Sequence, residues 1–155
     1  MLSTIINFII PRHKINYDNS FCVLTKYIKK KYETNVIYSS KEDYLYDPWT
    51  NTIYLNNRSP KRVQLYFFLH EVGHIVSSQK CNGEHYRRSY PLLKDIMRDD
   101  AKRYNKNVRV EILREEIEAW DLGLHLAKKL KILLDEEDFY KTYRKSIYSY
   151  VKWAI

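Results

Sequence analysis

The amino-acid sequence predicts an α+β fold in which residues 1–155 form a single domain. We expect an N-terminal helix, a small three-stranded sheet, a helix with a metal-binding motif, a helix that bears glutamates and a C-terminal helix. Two observations predict this class. Three short runs of β-branched and aromatic residues lie between positions 36 and 55, and the longer apolar patterns have helical spacing. The length suits one compact core.

The first helix and the sheet follow from local spacing. Apolar residues recur at helical intervals over 21–32 with four lysines opposite them, which indicates an amphipathic helix. Runs at 36–38, 44–46 and 52–55 predict strands, and the Asp, Pro and Asn of segment 47–51 predict a turn between the last two. The third strand is the candidate edge at which an extended peptide substrate would dock. Its residues are Thr52, Ile53, Tyr54 and Leu55.

The later part of the chain predicts helices. Ser59 and Pro60 mark a helix start, because serine is a common N-cap and proline suits the first turn. Dense apolar residues over 63–76 indicate that this helix is buried. Helical spacing over 108–134 and again over 135–155 predicts two long helices at the end of the chain.

A basic insertion at about 77–107 separates the motif-bearing helix from the last two helices, and 92–104 within it has the composition of a basic helix. The formal net charge is +8, and ten Lys or Arg against five Asp or Glu between positions 77 and 114 give a local net charge of +5. This charge fits an acidic protein partner, and nucleic acid is not excluded. The sequence carries no recognisable nucleic-acid-binding motif.

Cysteine usage and the N-terminal composition limit the cellular setting. Cys22 and Cys81 lie far apart, which excludes a disulfide framework and a four-thiolate zinc site and favours a reducing cytoplasm. The apolar run 2–10 is too short to span a bilayer and has no preceding basic region, so we expect no membrane partner. We expect this run to form a first strand or helix that packs against the rest of the domain. The predicted location is cytoplasmic, in the host if the chain is phage-encoded.

The chemistry-bearing motif is His70-Glu71-Val72-Gly73-His74, an HExxH sequence inside the expected buried helix. Two histidines four residues apart lie on one helix face, close enough to bind one metal ion. Zinc suits this pair, because it accepts imidazole and carboxylate ligands and keeps one position open for water. Glu71 lies beside the histidines as the candidate general base for water activated by the zinc.

A third ligand is needed, and the sequence favours Glu116. The metzincin spacing is excluded because Ser77 and Lys80 occupy the positions where that pattern has glycine and histidine. Among the glutamates of the later helix, Glu116 lies in the middle of the apolar stripe, whereas the neighbours of Glu115 and Glu118 indicate more solvated positions. The alternative for Glu116 is a salt bridge with a basic residue of the insertion.

These motifs resemble those of gluzincin-type zinc metallopeptidases, and among them the ImmA/IrrE family of phage, mobile-element and stress-response proteins. The resemblance rests on residues 70–74, on Glu116-Ile117-Glu118-Ala119 as the family's E-x-x-A signature, and on the order of the elements. It covers roughly residues 21–130. It implies a minimal gluzincin-like fold, with one zinc held by His70, His74 and Glu116 and with Glu71 as the general base.

One position departs from the family pattern. The residue after the alanine is usually Asn or Asp, which supports a zinc-bound histidine, and here it is Trp120. The neighbouring Asp121 is a candidate to take over that role.

The predicted function is zinc-dependent hydrolysis of a peptide bond in a protein substrate. The segment between the HExxH motif and Glu116 supplies candidate donors to the oxyanion of the transition state. These candidates are His85, Tyr86, Tyr90, Tyr104 and Arg109. The alternative is a binding protein of the same fold that sequesters an acidic protein or nucleic-acid partner without proteolysis.

Overall fold

The computed structural model describes residues 15–80, 83–93 and 104–155. The expectations for the apolar run 2–10 and for most of a helix over 92–104 lie outside these residues. The α+β class is confirmed, since the described residues contain five α-helices and a three-stranded mixed sheet. The elements in chain order are α1 (Tyr17–Tyr32), β1 (Asn35–Ser39), β2 (Leu45–Asp47), β3 (Thr52–Asn56), α2 (Lys61–Gln79), α3 (Glu84–Ser89), a 3-10 turn (Pro91–Leu93), α4 (Lys106–Lys129) and α5 (Glu136–Ala154).

Helix α1 begins four residues before the predicted start because Asn16 caps it. The Asn16 side chain accepts a hydrogen bond from the main-chain N–H of Asn19 at 3.0 Å. The helix ends at Glu33, which adopts a left-handed conformation with φ 58°. Leu24 and Ile28 are fully buried in the core, and the lysines opposite them are exposed.

The sheet has the order β1-β3-β2, so β3 is its central strand. It pairs in parallel with β1 and antiparallel with β2. The prediction that residues 52–55 form an edge is therefore wrong, because main-chain pairing occupies both sides of this strand. Ile53 and Leu55 are fully buried, as expected for a central strand. The two edge strands of the sheet are β1 and β2.

Helices α2 and α4 cross at very short range because a glycine stands at each contact point. A Cβ atom on Gly73 would lie 1.9 Å from the carbonyl oxygen of Ala119, and one on Gly123 would lie 2.4 Å from that of Leu69. Both distances are far below any normal contact, so only residues without a side chain fit here. The crossing brings the buried faces of the two helices together.

Several helix ends differ from the predictions. Helix α2 begins at Lys61, one residue later than expected, with Pro60 as an N-cap that forms no side-chain bond. Helix α4 ends at Lys129, because Lys131 adopts a left-handed conformation with φ 56°. Ile132 and Leu134 are buried in the connection to α5, and Asp135 caps that helix. Among the helices of the described ranges, none combines the length and apolar character that a membrane span requires.

Candidate metal centre

Helices α2 and α4 bring three ligand-type side chains together in the interior. The Nε2 atoms of His70 and His74 lie 3.1 Å apart. An oxygen of Glu116 lies 3.1 Å from His70 Nε2, and its other oxygen lies 3.8 Å from His74 Nε2. All three residues are buried. The structure therefore assembles the ligand set that the sequence favours.

The spacing of these atoms fits a metal ion. In a tetrahedral zinc site with bonds of about 2.0–2.1 Å, neighbouring ligand atoms are separated by roughly 3.3 Å. The observed separations are 3.1, 3.1 and 3.8 Å, close to that value. Two imidazole nitrogens and a carboxylate oxygen are donors that zinc accepts. His70, His74 and Glu116 can thus hold a metal ion.

Glu115 supports one of the two histidines. Its carboxylate lies 2.7 Å from Nδ1 of His74 and is 2% exposed. An ionised carboxylate only accepts hydrogen bonds, so it holds the His74 proton on Nδ1 and leaves the Nε2 lone pair for a metal. The expectation that Glu115 faces solvent is wrong, because α2 covers that side of α4 at the close crossing. The glycines at positions 73 and 123 are the sequence signal that could have indicated this.

His70 is supported differently. Its ring stacks on the indole of Trp120, with centroids 4.6 Å apart and planes inclined by 22°. Its Nδ1 atom is buried and has no hydrogen-bond partner within the part of the chain that the structure describes. Asp121 does not take over the supporting role, because it is exposed and hydrogen-bonded to Tyr143. Stacking rather than a hydrogen bond orients this ring.

Glu71 is held beside the cluster by the sheet. One carboxylate oxygen accepts a hydrogen bond of 2.8 Å from the main-chain N–H of Tyr46, which belongs to the edge strand β2. The other oxygen lies 4.0 Å from Nε2 of His70. Glu71 is buried, with 6% of its surface exposed. The strand therefore fixes the carboxylate next to the ligand atoms.

Glu118 anchors α3 to the two long helices. Its carboxylate accepts hydrogen bonds from Ser77 at 3.0 Å, His85 at 3.0 Å and Tyr90 at 2.6 Å. Burial alone would raise the pKa of Glu118, but these hydrogen bonds outweigh burial and lower that pKa. Burial and the nearby carboxylate raise the pKa of Tyr90. The side chain of Glu118 is 23% exposed against 2% for Glu116, so the expectation that Glu118 is the more solvated of the two is confirmed.

The candidate oxyanion donors fall into two groups. His85 and Tyr90 bind Glu118, and the ring of Tyr86 packs 5.2 Å from that of Tyr90. Arg109 lies in the first turn of α4 and donates to the main-chain carbonyls of Tyr104 and Trp153. It precedes Glu116 by seven residues, a rise of about 10 Å along a helix. These hydrogen bonds go to Glu118 and to carbonyls rather than to the three ligand residues.

Comparison of the chain with models of protein families, with curated proteins and with solved structures finds no match. The resemblance to gluzincins therefore stays a prediction from the motifs. The geometry itself establishes a buried group of His70, His74 and Glu116 that can hold a metal ion.

Proposed function

We propose that the protein is a zinc metallopeptidase that hydrolyses a peptide bond in a protein substrate. The observation that carries the proposal is the convergence of two imidazole nitrogens and the two oxygens of the Glu116 carboxylate, at distances of 3.1–3.8 Å, with Glu71 fixed beside them. Three protein ligands leave one position of a tetrahedral shell open, which is the mark of a catalytic rather than a structural zinc site.

The residues around the site have separate roles in the proposed reaction. When bound, zinc supplies a Lewis acid that polarises a carbonyl group and makes water more acidic. Glu71 accepts a proton from the attacking water through the oxygen that faces His70, while Tyr46 holds its other oxygen. Glu71 then passes that proton to the leaving amine. Glu115 keeps His74 in the protonation state that a metal ligand needs.

The edge strand β2 is the proposed docking site for the substrate, in place of the central strand. A peptide added along Leu45–Asp47 would run beside Glu71, because the Tyr46 amide contacts that carboxylate. Two large apolar side chains are exposed here, one on the strand and one in the turn that follows it. Leu45 is 47% exposed, and Trp49 in the following turn is 83% exposed. Both are available to contact side chains of a bound peptide.

Cleavage of a degenerate peptide library, read by mass spectrometry, tests the proposal. Zinc-loaded protein should cleave peptides, and a chelator should abolish the activity until zinc is restored. The Glu71→Gln variant keeps the shape of the side chain and its acceptor for the Tyr46 amide, so it should keep zinc. Its cleavage rate should fall by roughly 10²–10⁴-fold, the usual contribution of a general base.

Two outcomes would contradict the proposal. One is cleavage that proceeds equally well in Glu71→Gln. The other is zinc-loaded wild-type protein that cleaves no peptide while Glu71→Gln retains the full cellular phenotype, a result that would favour the sequestering protein.

A further inference from the structure

We propose that the exposed face of α5 binds the phosphate backbone of nucleic acid. This surface is separate from the metal centre and from the basic insertion. Helix α5 carries four cationic residues, and after the three acidic residues of its first turn, Glu136, Glu137 and Asp138, the sequence contains no further Asp or Glu. The four are Lys141, Arg144, Lys145 and Lys152.

These cations share one side of the helix. At 100° per residue, Lys141, Lys145 and Lys152 fall within about 40° of one another, with Arg144 next to them. All four are exposed. The opposite side of α5 is fixed against the core by Phe139, which is fully buried. Lys141 and Lys152 are about 16 Å apart along the axis, a length over which one strand of a duplex carries about five phosphates.

The cations of this face are not neutralised by the protein. Within the described ranges, Lys141, Arg144 and Lys145 form no ion pair, whereas Arg62 pairs with Asp138 in the first turn of the same helix. The ammonium of Lys152 lies 4.6 Å from the centre of the Tyr148 ring and pairs with no carboxylate of residues 15–80, 83–93 or 104–155. Their positive charge is therefore available to an anionic partner.

The side chains around the cations favour nucleic acid over a membrane. A helix that lies on a membrane buries several large apolar side chains between the lipids. Over residues 136–155, two large apolar side chains are exposed, Tyr148 at 60% and Ile155 at the C-cap at 86%. A tyrosine among cations is suited to stacking on a base or packing on a sugar while the cations contact phosphates.

Fluorescence anisotropy with a short labelled DNA duplex, over a series of KCl concentrations, tests this surface. The α5 variant is Lys141→Gln/Arg144→Gln/Lys145→Gln. The matched control is Lys26→Gln/Lys29→Gln/Lys30→Gln on α1, which removes the same charge from another exposed face. Glutamine has nearly the helix propensity of lysine and arginine, so both variants should keep the wild-type melting temperature.

The α5 variant should bind the duplex at least about tenfold more weakly at moderate salt, and its slope of log affinity against log salt should fall by about 2–3. The α1 control should keep the wild-type slope. Equal losses in the two variants would show that net charge alone drives binding and would overturn the proposal. Wild-type protein that binds phosphatidylcholine–phosphatidylserine vesicles but no duplex would also overturn it.

Discussion

Replacement of Gly73 by alanine should separate α2 from α4 and destroy the metal centre. The new Cβ would lie 1.9 Å from the Ala119 carbonyl oxygen, whereas a normal carbon–oxygen contact is about 3.3 Å, so the helices must move apart by roughly 1.4 Å. Glu116 lies one turn before Ala119 on α4 and would move with it. Metal sites tolerate ligand displacements of only about 0.2 Å.

The expected cost is large in both stability and metal affinity. Overpacking of this kind costs about 1–3 kcal/mol of unfolding free energy, and zinc affinity should fall by more than about 100-fold as one ligand is lost. Urea unfolding and competition with a chromophoric chelator measure the two quantities. Leu24→Ala is the matched control, because Leu24 is fully buried on α1. It should cost about 2–5 kcal/mol but leave zinc affinity unchanged in the folded protein.

The sign of the change in unfolding free energy in Gly73→Ala tests whether the two helices cross as closely as described. In a helix with room for a methyl group, Gly→Ala stabilises by about 1 kcal/mol through helix propensity. A Gly73→Ala variant that is more stable than wild type, or that binds zinc equally tightly, would refute the close crossing.

Two further predictions concern groups around the site. Glu115→Gln weakens the hydrogen bond to His74 and should lower zinc affinity by about 10–100-fold, measured by chelator competition, while Glu111→Gln on the same helix should not. An unchanged affinity in Glu115→Gln would contradict its supporting role. Burial and the charge of Asp121 raise the pKa of Tyr143 to about 12, so stability should fall as pH rises from about 10 toward 12. Urea unfolding at a series of pH values should show that the unfolding free energy of Tyr143→Phe falls less steeply with pH than that of wild type. Equal slopes in the two proteins would contradict the raised pKa of Tyr143.

Local sequence patterns predict most of the fold. The helical spacing of apolar residues and the HExxH motif locate the long helices and the two histidines. The position of Glu116 within the apolar stripe of its helix distinguishes it from the neighbouring glutamates. These features depend on residues three or four positions apart. The strand segments are also local, since β-branched and aromatic runs and the turn at 47–51 define them.

The missed features depend on contacts between distant segments. The position of β3 is set by its parallel pairing with β1, and strand order cannot be derived from the composition of either strand. The burial of Glu115 arises where α2 covers α4, so the neighbours of Glu115 on its own helix indicate the wrong environment. Gly73 is part of the HExxH motif, but its role in close helix packing is visible only once α2 and α4 are placed together. Gly73 then faces the carbonyl of Ala119, and Gly123 faces that of Leu69.

The most direct test of the three-ligand site is native mass spectrometry of the purified, folded protein with added zinc, beside a Glu116→Ala variant. We predict one zinc ion per wild-type chain, and its loss in the variant while circular dichroism shows the same helical content. Folded wild-type protein that binds no zinc, or a variant that binds zinc as tightly as wild type, would contradict a site built from His70, His74 and Glu116.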